Sequence, residues 1–278
     1  SAGDMFLGAL LPGLVLVGLY MLYVFIYARI KPNSAPPVPY QGQYDYKFWL
    51  KVSGIIIPPL ALIFAVLGTI ILGWATPTEA AAMGAFGSII LTLVYGRFTF
   101  SVFREALVRT LLVTAMILTI LVAGNMFANV FTISGGLIGT QRLVEAAELS
   151  GWATLFILLL LAFVAGFVLD LISIILIIIP IAIPLIEKIE FYGMDPSQVK
   201  SWFCVLFLIV IQTSYLTPPM APAIFYLRGI SPPEIRLSHM YRGVTPFIFL
   251  EVIALALVVL FPGLALWLPE QMWALSRY

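Results

Sequence analysis

The stretch Ser214-Tyr215-Leu216-Thr217-Pro218-Pro219-Met220-Ala221-Pro222 interrupts an otherwise apolar run from Trp202 to Leu227. Three prolines remove three backbone donors. In a continuous helix Pro218 and Pro219 would strand the carbonyls of Ser214 and Tyr215, four residues back. An unsatisfied carbonyl in hydrocarbon costs roughly several kcal/mol, so irregular backbone at that depth survives only inside protein or beside a water-filled cavity. The run therefore predicts a broken transmembrane helix over 201–227. Free carbonyls beside the Thr217 hydroxyl are hard oxygen ligands, which suit a small cation, so the break is a candidate ion site. The bland alternative is a proline kink satisfied by neighbouring helices.

Of the 278 residues, 62% are hydrophobic and only 10% charged, against about 25% charged in a soluble domain. The expected fold class is an all-α polytopic membrane protein in a lipid bilayer. A net charge of +1 without a basic stripe gives no sign of a nucleic-acid partner. Cys204 stands alone, which excludes an internal disulfide framework and a multi-cysteine metal site, and the single His239 argues against a histidine-built metal centre. An intramembrane aspartyl protease needs two aspartates at depth. Apart from Asp170, the aspartates Asp4, Asp45 and Asp195 fall in loops or ends. The chain does not open on Met and is expected to be part of a longer or split protein.

Phe6 to Tyr27 reads as a span closed by Arg29 and Lys31, followed by a proline-rich loop from Pro32 to Tyr46. The next span is expected from Gly54 to Trp74, with Pro58-Pro59 kinking it or setting its start. Thr76-Pro77-Thr78-Glu79 is a helix start: Thr76 caps, Pro77 takes the first helical position, and Glu79 supplies the acid of a capping box. The span from Ala80 to Tyr95 is rich in small residues, among them Gly84 and Gly87, which permit close helix contact. Arg97 to Arg109 reads as an amphipathic helix on the membrane surface, and Leu111 to Thr132 as a span. Asn125 and Asn129 lie one turn apart on it, placed either to bond a neighbouring helix or to touch a substrate. Val244 to Leu264 is the last span, with Glu251 less than two turns from its start, in a structural or an ion-coupling role. Trp267 and Trp273 suit an interface.

Between Ser134-Gly135-Gly136, which opens a short amphipathic helix, and the loop Glu187–Lys200 lies the run Trp152 to Ile186, with one charge, Asp170. As one helix it would be about 52 Å long, well beyond a hydrocarbon core of about 30 Å, so it must fold back. Gly166 and Asp170 mark the middle. Arms of about 17 residues are short of the ~20 a full crossing needs, so a re-entrant helical hairpin over 152–186 is expected. The isoleucine run Ile174 to Ile183 must be helical, because an isolated strand in lipid cannot satisfy its backbone. The segments 29–51, 97–109 and 228–242 hold ten of the fourteen Lys and Arg. Placed in the cytoplasm, they put 133–151 and 187–200 together outside, as a re-entrant hairpin or a pair of full spans requires. Asp170 is placed to cap the second arm, to accept bonds from donors at the tip, to ligate a cation, or to carry a proton.

These elements in this order resemble the large membrane subunit of TRAP (tripartite ATP-independent periplasmic) transporters. The residues that carry the likeness are Gly73-Trp74-Ala75-Thr76-Pro77-Thr78-Glu79-Ala80-Ala81-Ala82, Gly166-Phe167-Val168-Leu169-Asp170 with Pro180 and Pro184, Leu216-Thr217-Pro218-Pro219, and the opening Gly3-Asp4-Met5-Phe6 with Leu11-Pro12-Gly13. The resemblance implies the second half of a subunit built from two inverted repeats, with an N-terminal half as partner. It implies a sodium site at Gly166, Ser214, Thr217 and Met220, shaped by Asp170, Pro218 and Pro219. Ser214 stands where the family usually has glycine. It also implies a periplasmic binding protein that delivers an organic acid, a small membrane subunit, sodium as coupling ion with no other cofactor, and an elevator-like movement in the bacterial inner membrane. On this reading 1–52 ends the first half, 53–110 is scaffold with an arm helix, 111–230 is the transport region, and 231–278 the final scaffold span. The near alternatives are a proton-coupled carrier of similar fold and a non-transporting structural membrane subunit.

Overall fold

A computed structural model describes residues 2–34, 45–218, 221–232 and 234–275. Among these the chain is helical throughout: α1 (Ala2–Ile30), α2 (Tyr46–Ile71), α3 (Pro77–Val94), α4 (Phe100–Ile133), α5 (Gly136–Ala146), α6 (Gly151–Ala165), α7 (Leu171–Ile186), α8 (Pro196–Leu216), α9 (Pro222–Ile230), α10 (Leu237–Leu260) and α11 (Gly263–Leu275), with one 3-10 turn at Pro32–Ser34. Six of them, α1, α2, α3, α4, α8 and α10, are long and apolar enough to cross a bilayer. The chain is an all-α polytopic membrane protein. It divides into two compact units, 1–6 with 23–113, and 7–22 with 114–278.

In the first unit α2 packs along α3. A Cβ placed on Gly87 would come within 2.4 Å of Leu62 Cδ1, and one on Gly84 within 3.1 Å of Val66 Cγ2, so the small residues serve close helix packing. Pro58 and Pro59 lie inside α2 and do not set its start; Asp45 caps it, and Lys47 and Lys51 belong to its first turns. Pro58 removes the donor that would serve the Gly54 carbonyl. The Tyr95 hydroxyl, from the far end of α3, donates to that carbonyl at 3.3 Å.

The start of α3 is the capping box expected from its sequence. Thr76 Oγ1 accepts from the Glu79 amide at 3.3 Å, and Glu79 Oε2 accepts from the Thr76 amide at 2.7 Å. Replacing the hydroxyl in Thr76→Ala is expected to lower stability by about 1 kcal/mol, read as a lower midpoint in thermal unfolding in detergent.

Two boundaries differ from the sequence reading. The surface helix Arg97–Arg109 is not separate: it is the first part of α4, which runs unbroken for 34 residues. No glycine or proline occurs from Phe100 to Ala123 to end it. At about 51 Å, α4 exceeds the hydrocarbon core, so the turns carrying Arg104, Glu105 and Arg109 extend beyond it. The last span begins at Leu237 instead of Val244 and passes through Pro246. That places Glu251 in mid-helix, 14 residues from the start of α10.

The second unit is built around α8, the most enclosed helix of the chain. Trp202, Phe203, Leu206, Phe207, Val210 and Ile211 are buried along it against α6, α7 and α10. Trp202 Nε1 donates to the Val258 carbonyl of α10 at 2.9 Å, satisfying the one polar atom of a fully buried indole. The isoleucine run forms helix α7, with Pro180 and Pro184 inside it.

Candidate functional site: the hairpin tip and the broken helix

Helix α8 ends at Leu216 and α9 resumes at Pro222. Thr217 turns extended, with φ −87° and ψ 132°, the conformation forced on a residue that precedes proline. Ala221, before Pro222, takes a left-handed φ of 34° although it has a Cβ and is fully buried. Such strain in a non-glycine residue collects where function dictates the backbone path. Pro222 then occupies the first turn of α9, where a missing amide costs nothing.

The carbonyls at the break are partly satisfied locally. Pro218 cannot serve Ser214, so the Thr217 amide is shared between the Thr213 carbonyl at 3.1 Å and the Ser214 carbonyl at 3.2 Å. The Thr217 hydroxyl donates to the Thr213 carbonyl at 2.7 Å, which leaves its lone pairs free to accept. Ser214 is not stranded as the sequence reading had it: its carbonyl retains one long, shared bond. Ser214 sits within regular helix and its hydroxyl donates to Ile211 at 2.7 Å, so serine needs no unusual backbone here. Pro219 and Met220 lie outside the described residues.

The run 152–186 folds back where Gly166 and Asp170 mark it, into arms of 15 and 16 residues. Ser150 caps the first arm and Asp170 the second. Asp170 Oδ2 accepts from the amides of Ile172 at 3.1 Å and Ser173 at 3.3 Å, and Oδ1 accepts from the Ser173 hydroxyl. Ser173 was not singled out from the sequence, though Asp-x-x-Ser is the spacing that lets both its amide and its hydroxyl donate to the capping carboxylate. Loss of the cap in Asp170→Ala is expected to cost about 1 kcal/mol, while Asp170→Asn retains most of it; thermal unfolding of the two variants separates them.

Gly166 ends the first arm, is buried, and lies directly against Ser214. A Cβ built on Gly166 would stand 2.0 Å from Ser214 Oγ and 2.5 Å from Ser214 Cβ. Two residues 48 positions apart in sequence thus meet where the hairpin tip faces the last turn of α8. Gly166 has an ordinary helical backbone, φ −64°, so glycine serves close approach here and not conformational freedom. Asn125 and Asn129 are exposed on α4. Their neighbour Gly124 is the buried one, set against Leu176 of α7.

The buried acid of this unit is Glu251, with no exposed surface. It accepts from the Tyr20 hydroxyl of α1 at 2.9 Å. Thr213 and Gln212 of α8 bring their polar side chains beside it.

The family model described as tripartite ATP-independent periplasmic transporter, DctM component, matches residues 1–264. The C4-dicarboxylate TRAP transporter large permease protein DctM of Pseudomonas aeruginosa is 26% identical over 271 residues, 97% of this chain and 60% of its own length. The ectoine TRAP transporter large permease protein TeaC of Halomonas elongata is 28% identical over 274 residues, again 97% and 60%. The sialic acid TRAP transporter large permease protein SiaM of Vibrio cholerae is 28% identical over 281 residues, with the same shares. The chain spans about 60% of the length of these relatives, which are transporter permeases and not enzymes. With a match over nearly all of its residues, the chain belongs to the DctM-component family of tripartite ATP-independent periplasmic transporters.

Proposed function

We propose that the chain is the second half of the permease subunit of a sodium-driven transporter in the bacterial inner membrane, taking up an organic acid delivered by a periplasmic binding protein. The observation that supports this most directly is the seating of Gly166 against Ser214. It brings a hairpin tip and a helix break, two sources of main-chain oxygen, to one place. Sodium is held by the carbonyls of Gly166, Ser214 and Met220 and by Thr217 through its hydroxyl or carbonyl. Asp170, Pro218 and Pro219 shape the site. The donors are neutral hard oxygens, which match sodium better than a transition metal. The short arms α6 and α7 form a re-entrant hairpin that moves with the broken helix as an elevator, braced by a small membrane subunit and completed by the N-terminal half.

The names of relatives, C4-dicarboxylate and sialic acid, favour an organic acid as cargo. The test is uptake into proteoliposomes holding the full-length subunit and its membrane partner, with the binding protein and radiolabelled dicarboxylate or sialic acid outside. Uptake that rises with an inward sodium gradient is expected. Uptake driven by a proton gradient alone, indifferent to sodium, overturns the coupling.

A further inference from the structure

Glu251 occupies the middle of α10, and no surface of it is exposed. One carboxylate oxygen accepts from Tyr20, and the other has no hydrogen-bond partner among the described residues. A charged carboxylate sealed in a span is not tolerated alone; it is paired, protonated or ligated to a cation. Among the described residues no basic side chain is paired with it. Lys200 of α8 lies about three turns from Gln212 and pairs with Glu187 at 2.5 Å. Arg228 of α9 donates to the Ile235 carbonyl. On α11, Glu270 accepts from Gln198. Tyr215 of α8 sits by Tyr226 of α9, and on α10 itself His239 binds back to Arg236 at the helix start.

The surroundings supply oxygen in place of a counter-charge. The Tyr20 hydroxyl donates to the carboxylate, and Thr213, whose hydroxyl donates to the Ile209 carbonyl at 2.8 Å, and Gln212 stand beside it on α8. A cavity of about 90 Å³ lies between α1, α8 and α10, lined by Pro12, Leu16, Gln212 and Ala254 among others, and it touches this group through Gln212. Water needs about 10–15 Å³ of such space per molecule together with polar partners, and Gln212 is the polar side chain in this lining. We propose that Glu251 anchors a second cation site, separate from the helix break, which takes up one monovalent cation, a proton or a sodium ion. The proposal rests on the transporter reading. It also links the two places: Thr213, beside Glu251, offers its carbonyl to the amide and hydroxyl of Thr217. Occupancy at Glu251 therefore bears on the last turn of α8, where the hairpin tip is seated.

The test uses the purified full-length subunit with its membrane partner, by infrared difference spectroscopy of wild type against Glu251→Gln, in sodium and in potassium and across pH. Glutamine keeps the shape and the acceptor for Tyr20 but cannot lose a proton. The expected result is a Glu251 signal of one of two kinds: a protonated carboxyl band, or a carboxylate band that shifts when potassium is exchanged for sodium. Radioactive sodium binding separates them, since Glu251→Gln loses one bound sodium in the second case and none in the first. A Glu251 carboxylate indifferent to both pH and sodium overturns the proposal. Tyr20→Phe provides a second measurement if the glutamine variant does not fold: removing its hydroxyl must shift the same band, and an unmoved band overturns the site. Thr217→Ala leaves the Glu251 band in place even where it abolishes sodium-driven uptake, so failure of the break site and failure of this site are told apart.

Discussion

Gly166→Ala is expected to lower uptake about tenfold or more and to destabilise the second unit, although it adds a single methyl group. The new Cβ would stand 2.0 Å from Ser214 Oγ and 2.5 Å from Ser214 Cβ. The hydroxyl can rotate away, but a Cβ is fixed by its backbone. The hairpin tip and α8 must therefore part by several tenths of an ångström or more. Overpacking of this kind typically costs about 1–3 kcal/mol, a large share of a stability of about 5–15 kcal/mol. The partner substitution checks the cause. Ser214→Gly removes both clashing atoms at the cost of about 0.5–1 kcal/mol for glycine in a helix. The double variant Gly166→Ala with Ser214→Gly should therefore recover most of what Gly166→Ala alone loses, with a coupling energy of about 1–3 kcal/mol. Purely additive effects in a double-mutant cycle, read by thermal unfolding and by uptake, would show that the two residues do not touch.

The break and the fold-back were legible in the sequence because each rests on a local rule. Proline removes a donor wherever it stands, and the residue before it turns extended, as Thr217 does at ψ 132°. An apolar run too long for a bilayer must turn, and it turns at Gly166 and Asp170, the two residues in its middle fitted to end one helix and cap the next. What stayed hidden depends on partners distant in sequence. Pro58-Pro59 left open a kink or a helix start, and both prolines lie inside α2. For Pro58 the freed carbonyl finds the Tyr95 hydroxyl, 41 residues away. The surroundings of Glu251 were hidden for the same reason: nothing in α10 announces that Tyr20, 231 residues earlier, meets it. The surface helix was separated from α4 by a change in composition, where only glycine or proline would have ended the helix.

Thr217→Ala is expected to raise the sodium concentration for half-maximal uptake by about 10–100-fold, with a smaller effect on the maximal rate. A hydroxyl bonded to a charged group contributes about 1.5–3 kcal/mol, and each 1.4 kcal/mol is a factor of ten in affinity. The residue has two roles that must be separated. Its hydroxyl donates to the Thr213 carbonyl at 2.7 Å and so helps close α8; its remaining lone pairs are the ones offered to sodium. A residue that only closed the helix would, when truncated, lower stability and the maximal rate while leaving sodium half-saturation in place. A ligand moves half-saturation first. Thr217→Ser keeps the hydroxyl and should remain near wild type in both, whereas Thr217→Val keeps the shape without the oxygen and should behave as alanine does. Sodium titrations of uptake for the three variants decide it. An unchanged sodium affinity in Thr217→Ala assigns the hydroxyl to helix closure alone, and leaves only main-chain oxygens to hold the ion where the hairpin meets the break.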